Sequence, residues 1–272
     1  MRRVFLAFIW VAATNMATAQ DRAQLDALAG AIGVPEVLKI MRLEGMETAS
    51  ELGESFLGRT DPGWAAAVDS IYDVDALYAQ VLEGMEQVVQ NADVSAATAF
   101  FQSELGVRIV GLEVSAREAL MDESIEAASE SFAEELEYDD PDRFELIENF
   151  IEINDLVESN VIGALNSNFA FMKGLASTGD WGANVSESEM LAEVWSQEPD
   201  IRVETTKWLY SYLALAYRPL SDDELGLYLD FSASDHGRVL NRILFAGFDR
   251  MFNEVSRQLG ESLAHLSTAE AL

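Results

Sequence analysis

The chain is predicted to be all-α, a multi-helix bundle, and three observations carry that expectation. Apolar residues recur three or four apart over nearly the whole length, as a helix that buries one face requires. All five prolines (Pro35, Pro62, Pro141, Pro199 and Pro219) fall where one apolar-periodic segment gives way to the next, positions that tolerate a residue without an N–H. Two segments open on the capping-box pattern Ser-x-x-Glu, at Ser186–Glu189 and Ser221–Glu224. In that pattern a hydroxyl and a carboxylate satisfy backbone groups at a helix start.

The first residues read differently. Met1-Arg2-Arg3, the apolar run from Val4 to Ala13 and the small-residue pattern Ala17-Thr18-Ala19 form a secretory signal peptide cut after Ala19. The run is too short to cross a bilayer, which takes about 20 apolar residues. The expected organisation is a signal peptide over 1–19, an N-terminal helical unit over 20–178 and a C-terminal helical unit over 186–272. The mature protein is expected to be soluble in the periplasm, without stable membrane insertion after cleavage. Cysteine is absent, which removes thiol catalysis, thiolate metal ligands and a lipid-modified cysteine. The chain carries 48 acidic residues against 17 basic ones, a net charge of −31. Such a surface repels nucleic acid and anionic headgroups, so neither is expected as a partner.

Leu25, Leu28 and Ile32 begin a short amphipathic turn, and Pro35 opens a helix carrying Val37, Leu38, Met41 and Leu43 toward Gly53 and Gly58. Asp61-Pro62 caps and starts a segment that breaks at Tyr72-Asp73. Leu77, Val81, Leu82, Met85 and Val88 mark the next helix, which ends in the loop Asn91-Ala92-Asp93. A short helix from Val94 delivers Phe100 and Phe101. From Ser103 the period carried by Ile109, Leu112, Leu120, Met121, Ile125, Phe132 and Leu136 predicts one long helix. Its far half bears an acidic stripe, Glu123, Glu126, Glu130, Glu134 and Glu137, which reads as a solvated face.

A second long helix is predicted from Asp142 to about Ala176, apolar over more than one stripe and therefore the most buried of the set. Its asparagines, Asn154, Asn160, Asn166 and Asn168, do not share a face at about 100° per residue, so no amide-lined site is expected. Ser177 to Val185, with Gly179, Asp180, Gly182 and Asn184, is the clearest loop and the candidate boundary. After the Ser186 box come a helix through Trp195, another from Pro199 to Tyr217, and a third from Ser221. A long final helix carries Leu240, Ile243, Leu244, Phe248, Met251, Phe252 and Val255.

One pattern occurs twice. Phe100-x-x-Ser103-x-x-Gly106 and Phe231-x-x-Ser234-x-x-Gly237 each run into a long helix, with an acid after the serine, Glu104 or Asp235. Each reads as a helix corner: an aromatic plug, a serine cap, an acid on the helix dipole and a glycine for close approach. The segment Leu220-Ser221-Asp222-Asp223-Glu224-Leu225, followed by Phe231, Ser234 and Gly237, resembles the domain-of-unknown-function family 2059. Those are exported bacterial all-helical proteins whose signature is a Leu-Ser-x-x-Glu-Leu helix start followed by aromatic-x-x-Ser-x-x-Gly. The likeness covers about 45 residues at the second copy and fewer at the first, which lacks the preceding Leu-Ser-x-x-Glu-Leu. It implies an exported helical fold and brings no catalytic residue with it.

No recognised catalytic constellation stands out. His236 and His265 lack the spacing of a zinc site, and there is no G-x-S-x-G elbow or phosphate loop. Paired carboxylates could hydrolyse glycosides, but spacing cannot choose a pair among 48 acids. Trp195, Trp208, Tyr210, Tyr212 and Tyr217 are expected in the core and at its rim rather than as a ligand cage. The reading that follows is a non-enzymatic envelope protein with no cofactor, acting on an envelope partner or on itself. The alternatives are a small-molecule or lipid binder with a cavity between the two units, and a carboxylate-based hydrolase.

Overall fold

Most of the described helices begin at a side chain that accepts from their orphan backbone N–H groups. A computed structural model describes residues 22–89, 92–178 and 185–270. Helix α1 covers residues 22–31, followed by α2 (Val34–Leu57), α3 (Pro62–Ile71), α4 (Val74–Val89) and α5 (Ser95–Phe101). Then come α6 (Glu104–Ala119), α7 (Glu123–Asp139), α8 (Pro141–Ile153) and α9 (Leu156–Leu175), which runs into a 3-10 turn at Ala176–Thr178. Helices α10 (Glu187–Ser196), α11 (Glu198–Tyr217), α12 (Asp222–Ala233) and α13 (Asp235–Glu270) complete the set. The described residues contain helices and no strand, so the chain is an all-α multi-helix bundle. No described helix is long and apolar enough to cross a membrane. The signal peptide and most of the boundary loop, residues 179–184, lie outside the described residues.

The caps follow the chemistry of the residues. Asp61 Oδ1 accepts from the backbone N–H of Gly63 at 2.7 Å and of Trp64 at 3.0 Å at the start of α3. Both capping boxes form, Ser186 with Glu189 and Ser221 with Glu224. Helix α2 ends on Gly58 at φ 67, a left-handed backbone that glycine adopts without strain.

Two predicted long helices are each broken. The Ser103–Leu136 segment divides at Leu120–Asp122, where the Asp122 carboxylate accepts from Ser124 N at 2.9 Å and starts α7 afresh. The Asp142–Ala176 segment divides at Asn154–Asp155, where Asp155 takes the left-handed region at φ 50. Apolar periodicity survives both breaks because the helices on either side bury the same side of the chain.

The central element is α13, not the α8–α9 segment. Its 36 residues pack along α9 and α4. A Cβ on Gly84 would lie 2.3 Å from Ala246 O, one on Gly174 would lie 2.2 Å from Arg257 O, and one on Gly260 would lie 2.3 Å from Phe171 O. Backbone therefore meets backbone along α13, with no side chain between. Helices α9 and α13 run parallel: Asn241 Nδ2 donates to Asn154 O at 2.8 Å at one end, and Gly174 meets Gly260 at the other. One contiguous core joins Leu38, Leu77, Met85 and Ile109 with Tyr217, Leu225, Ile243 and Leu263.

The two corner motifs have the same local structure and meet. Ser103 and Ser234 share φ −69 and ψ 164, and each hydroxyl accepts from its glycine N–H, Gly106 or Gly237, at 3.1 Å. A Cβ on either glycine would lie 2.2 Å from the carbonyl oxygen of the motif phenylalanine, so the neighbour each glycine admits is the preceding helix. Phe100 and Phe231 stack on each other with ring centroids 4.0 Å apart and planes 8° from parallel.

Basic residues, scarce in this chain, tie the corner between α11 and α12. The Arg143 side chain is buried, donating to Tyr217 O and to Leu220 O at 3.0 Å and pairing with Asp222 at 2.7 Å. Arg108 donates to Pro219 O and pairs with Glu224.

Ser103→Ala should lower the unfolding free energy by about 1 kcal/mol, the usual cost of a lost cap. Gly237→Val should cost more, because its side chain has only backbone to push against. Urea melts of both variants check this, and wild-type midpoints would contradict the corner as described.

Candidate functional site

Where α6, α11 and α12 meet, three tyrosines converge on one carboxylic acid. Glu113 lies midway along α6. Its Oε1 accepts from Tyr217 Oη at 2.7 Å and from Tyr228 Oη at 3.3 Å, and its backbone carbonyl accepts from Tyr212 Oη at 3.1 Å. Among the described residues no donor reaches Oε2. Burial raises the Glu113 carboxyl from 4.5 to about 7, against the opposing pull of the Tyr217 and Tyr228 hydrogen bonds. Burial, and then the Glu113 charge, hold all three phenols well above their ordinary range.

The acid is placed by the corner motifs. Tyr228 stacks on Phe100 at 5.8 Å, meets Phe101 edge-on at 6.0 Å and lies 4.8 Å from Phe150. Thus the Phe100–Phe231 stack buttresses the ring whose hydroxyl reaches Glu113. Such aromatic pairs add about 0.5–1.5 kcal/mol each beyond the area they bury.

Glu113 lines a cavity of about 820 Å³. One wall is α11, with Trp208, Leu209, Tyr212 and Tyr217. The facing wall is α13, with Leu240, Leu244, Phe248 and Phe252, beside Gly163 and Ala164 of α9. Val34, Val37 and Met41 of α2 add a third, apolar side. Charged lining is sparse: Glu113, Glu204 and Asp249 are the acids and Arg117 the one base. The Arg117 guanidinium pairs with Glu44 at 2.6 Å and lies over the Trp208 ring, 5.8 Å from its centroid. Burial raises the Asp249 carboxyl above its ordinary value.

The sequence-derived sites are distributed as follows. Of the motif residues, Phe231 and Gly237 border the cavity, while Phe100, Ser103, Gly106 and Ser234 hold the corners behind it. Tyr217 lies in the core and Trp208, Tyr210 and Tyr212 pack against it; Trp208, Tyr212 and Tyr217 also line the cavity, Tyr210 stacks on Phe144 at 5.2 Å, and Trp195 is 60% exposed. Asn154, Asn160 and Asn168 also line the cavity, contrary to the expectation from one continuous helix. Asn160 and Asn168, eight residues apart on α9, lie about 80° from each other and so share one side of that helix. The three amide nitrogens are nonetheless satisfied, donating to Phe150 O, Leu156 O and Gln197 Oε1.

His236 and His265 are exposed. In the acidic stripe Glu130 pairs with Lys207 at 2.9 Å, and Glu123, Glu134 and Glu137 face solvent. Among the described residues no group of three or more His, Asp and Glu side chains could hold a metal ion. Glu113 itself was not singled out. Its signal is an acid in the middle of an apolar-periodic helix, with Ile109, Leu112 and Ala116 around it, and that pattern is faint among so many acids.

No known protein family, no curated protein and no solved structure matches the chain. The likeness to family 2059 accordingly rests on the motif residues alone.

A folded pKa near 7 against an unfolded value of 4.5 has a definite sign. The proton is held more tightly in the folded state, so the stability it confers is complete below about 4.5 and is lost as pH rises through about 7. Glu113→Gln cannot titrate. At about 1.4 kcal/mol per pH unit, the variant should gain about 3 kcal/mol relative to wild type between pH 4.5 and 8. Urea melts of both proteins across that range check it, and a pH-independent difference would contradict the buried acid.

Proposed function

We propose that the chain is an exported, non-catalytic protein of the cell envelope that binds a small molecule with an apolar body. The cavity carries this reading. Its volume, about 820 Å³, lies in the range of about 300–1,000 Å³ typical of small-molecule sites. Its lining has the matching character: broad aromatic and aliphatic walls with a few polar groups, Glu113 foremost. It also lies between the two helical stretches, drawing Glu113 from one and Trp208, Tyr212 and Phe248 from the other. Support for export comes from the first 19 residues, and the resemblance to family 2059 agrees with it. A binding role also accounts for a carboxyl met by phenol hydroxyls.

A carboxylate-based hydrolase is the second reading. The observation in its favour is that burial raises both Glu113 and Asp249 in the same cavity, as a general acid requires.

The test is saturable binding of N-phenyl-1-naphthylamine, a neutral apolar fluorophore. Its emission should rise to a one-site plateau with wild-type protein. Ala164→Trp, which places an indole in the cavity, should reduce the signal at least tenfold while leaving the far-ultraviolet helical signal unchanged. Equal binding by wild type and Ala164→Trp would sink the cavity as the ligand site. Mass spectra of gently purified protein should also show a retained apolar small molecule.

A further inference from the structure

The chemistry of the cavity also selects the kind of head group its ligand carries. The lining acids Glu113, Glu204 and Asp249 face a single base, Arg117, and the Arg117 guanidinium is already held by Glu44 at 2.6 Å. Glu113 Oε1 is occupied by two tyrosine hydroxyls, which leaves Oε2 as the acceptor available to a ligand. Around that carboxyl stand the phenol hydroxyls of Tyr212, Tyr217 and Tyr228, and among the described residues no basic side chain pairs with it. An anion entering the same space would meet three carboxyls and one base, Arg117, which is paired with Glu44 through one nitrogen and keeps its buried Nε without a partner. The whole chain, at net −31, adds a field that draws cations in.

Building on the binding role, we propose that the ligand is an amphipathic cation. Its ammonium or amidinium head sits at Glu113 among the tyrosines, and its apolar body lies along Leu244 and Phe248. A zwitterionic phospholipid fits less well, because its phosphate would face Glu204 and Asp249.

The experiment is displacement of bound N-phenyl-1-naphthylamine by octyltrimethylammonium, octanol and octanoate, in 0.5 M salt to screen adsorption on the acidic surface. At pH 8 the cation should displace the probe at about tenfold lower concentration than octanol, about 1.4 kcal/mol, and octanoate should be weakest. Glu113→Gln should remove most of the cation's advantage and leave octanol unchanged. Octyltrimethylammonium does not titrate, so its advantage in wild type should shrink as pH falls from 8 to 5.5 and Glu113 takes up a proton. The other groups facing Glu113 set that profile little: Tyr212, Tyr217 and Tyr228 stay protonated, and Arg117 stays paired with Glu44. Glu204 and Asp249 lie across the cavity, and Asp249→Asn should leave the pH dependence in place.

Equal displacement by all three compounds would overturn the cationic ligand while leaving the cavity as a binding site. A cation preference that persists in Glu113→Gln and at pH 5.5 would overturn it too, by assigning the preference to surface charge. If octyl phosphocholine competes as well as octyltrimethylammonium, a zwitterionic lipid replaces the simple cation. Failure of the probe to bind wild-type protein would instead reject the binding role itself.

Discussion

The face-to-face contact of Phe100 and Phe231 fixes the relation between two helix corners that are far apart in the chain. Each corner starts a helix, α6 or α13, and each is closed by a serine hydroxyl and a glycine that lets two helices touch. Once the two rings stack 4.0 Å apart, the starts of α6 and α13 are fixed relative to each other. Tyr228 packs on that stack, and its hydroxyl joins that of Tyr217 on Glu113 Oε1. The polar centre of the molecule is therefore held by hydrophobic contacts.

Burying a carboxyl without a cation is costly, and the structure meets the cost in two ways. The phenols donate hydrogen bonds to Oε1, replacing part of the water that was lost. The remainder shows as a carboxyl whose acidity is shifted to about 7. Nearby arginines do not take the role of counter-ion. Arg117 is turned to Glu44, and Arg143 is spent on the carbonyls of Tyr217 and Leu220. Glu113 is thus left without an ion pair among the described residues, held by phenol hydroxyls alone.

Much of the fold was legible because helix ends are local. Proline, the Ser-x-x-Glu boxes, Asp61 and Ser103 act within four residues of themselves, and the structure has each where its chemistry predicts. The breaks at Leu120–Asp122 and Asn154–Asp155 were hidden because their apolar faces stay in phase and neither carries glycine or proline. Asp122 could have been read as a cap, since Asp-x-Ser is a common helix start; Asp155 in a left-handed conformation carries little local signal. The cavity was not legible at all. Its wall is assembled from side chains of helices distant in sequence, and nothing in Trp208 or Tyr212 alone distinguishes a residue packed in a core from one facing a void. The choice of α13 as the centre was missed for a related reason: centrality comes from the glycines at which α4 and α9 approach it, and a helix-interior glycine reads locally only as a weak helix former.

Those glycines divide the molecule into parts with unequal freedom to evolve. At Gly84, Gly174 and Gly260 a side chain of any size would strike backbone, so α4, α9 and α13 admit almost no substitution there. The cavity wall has the opposite property: Leu244, Phe248, Met41 and Val37 border open space, where a change of size alters the void and not the helix spacing. Selection can therefore reshape what the cavity accepts without renegotiating the frame. Diverged relatives of this chain should keep the glycines and differ at the wall, so a lineage could exchange one ligand for another through a handful of substitutions.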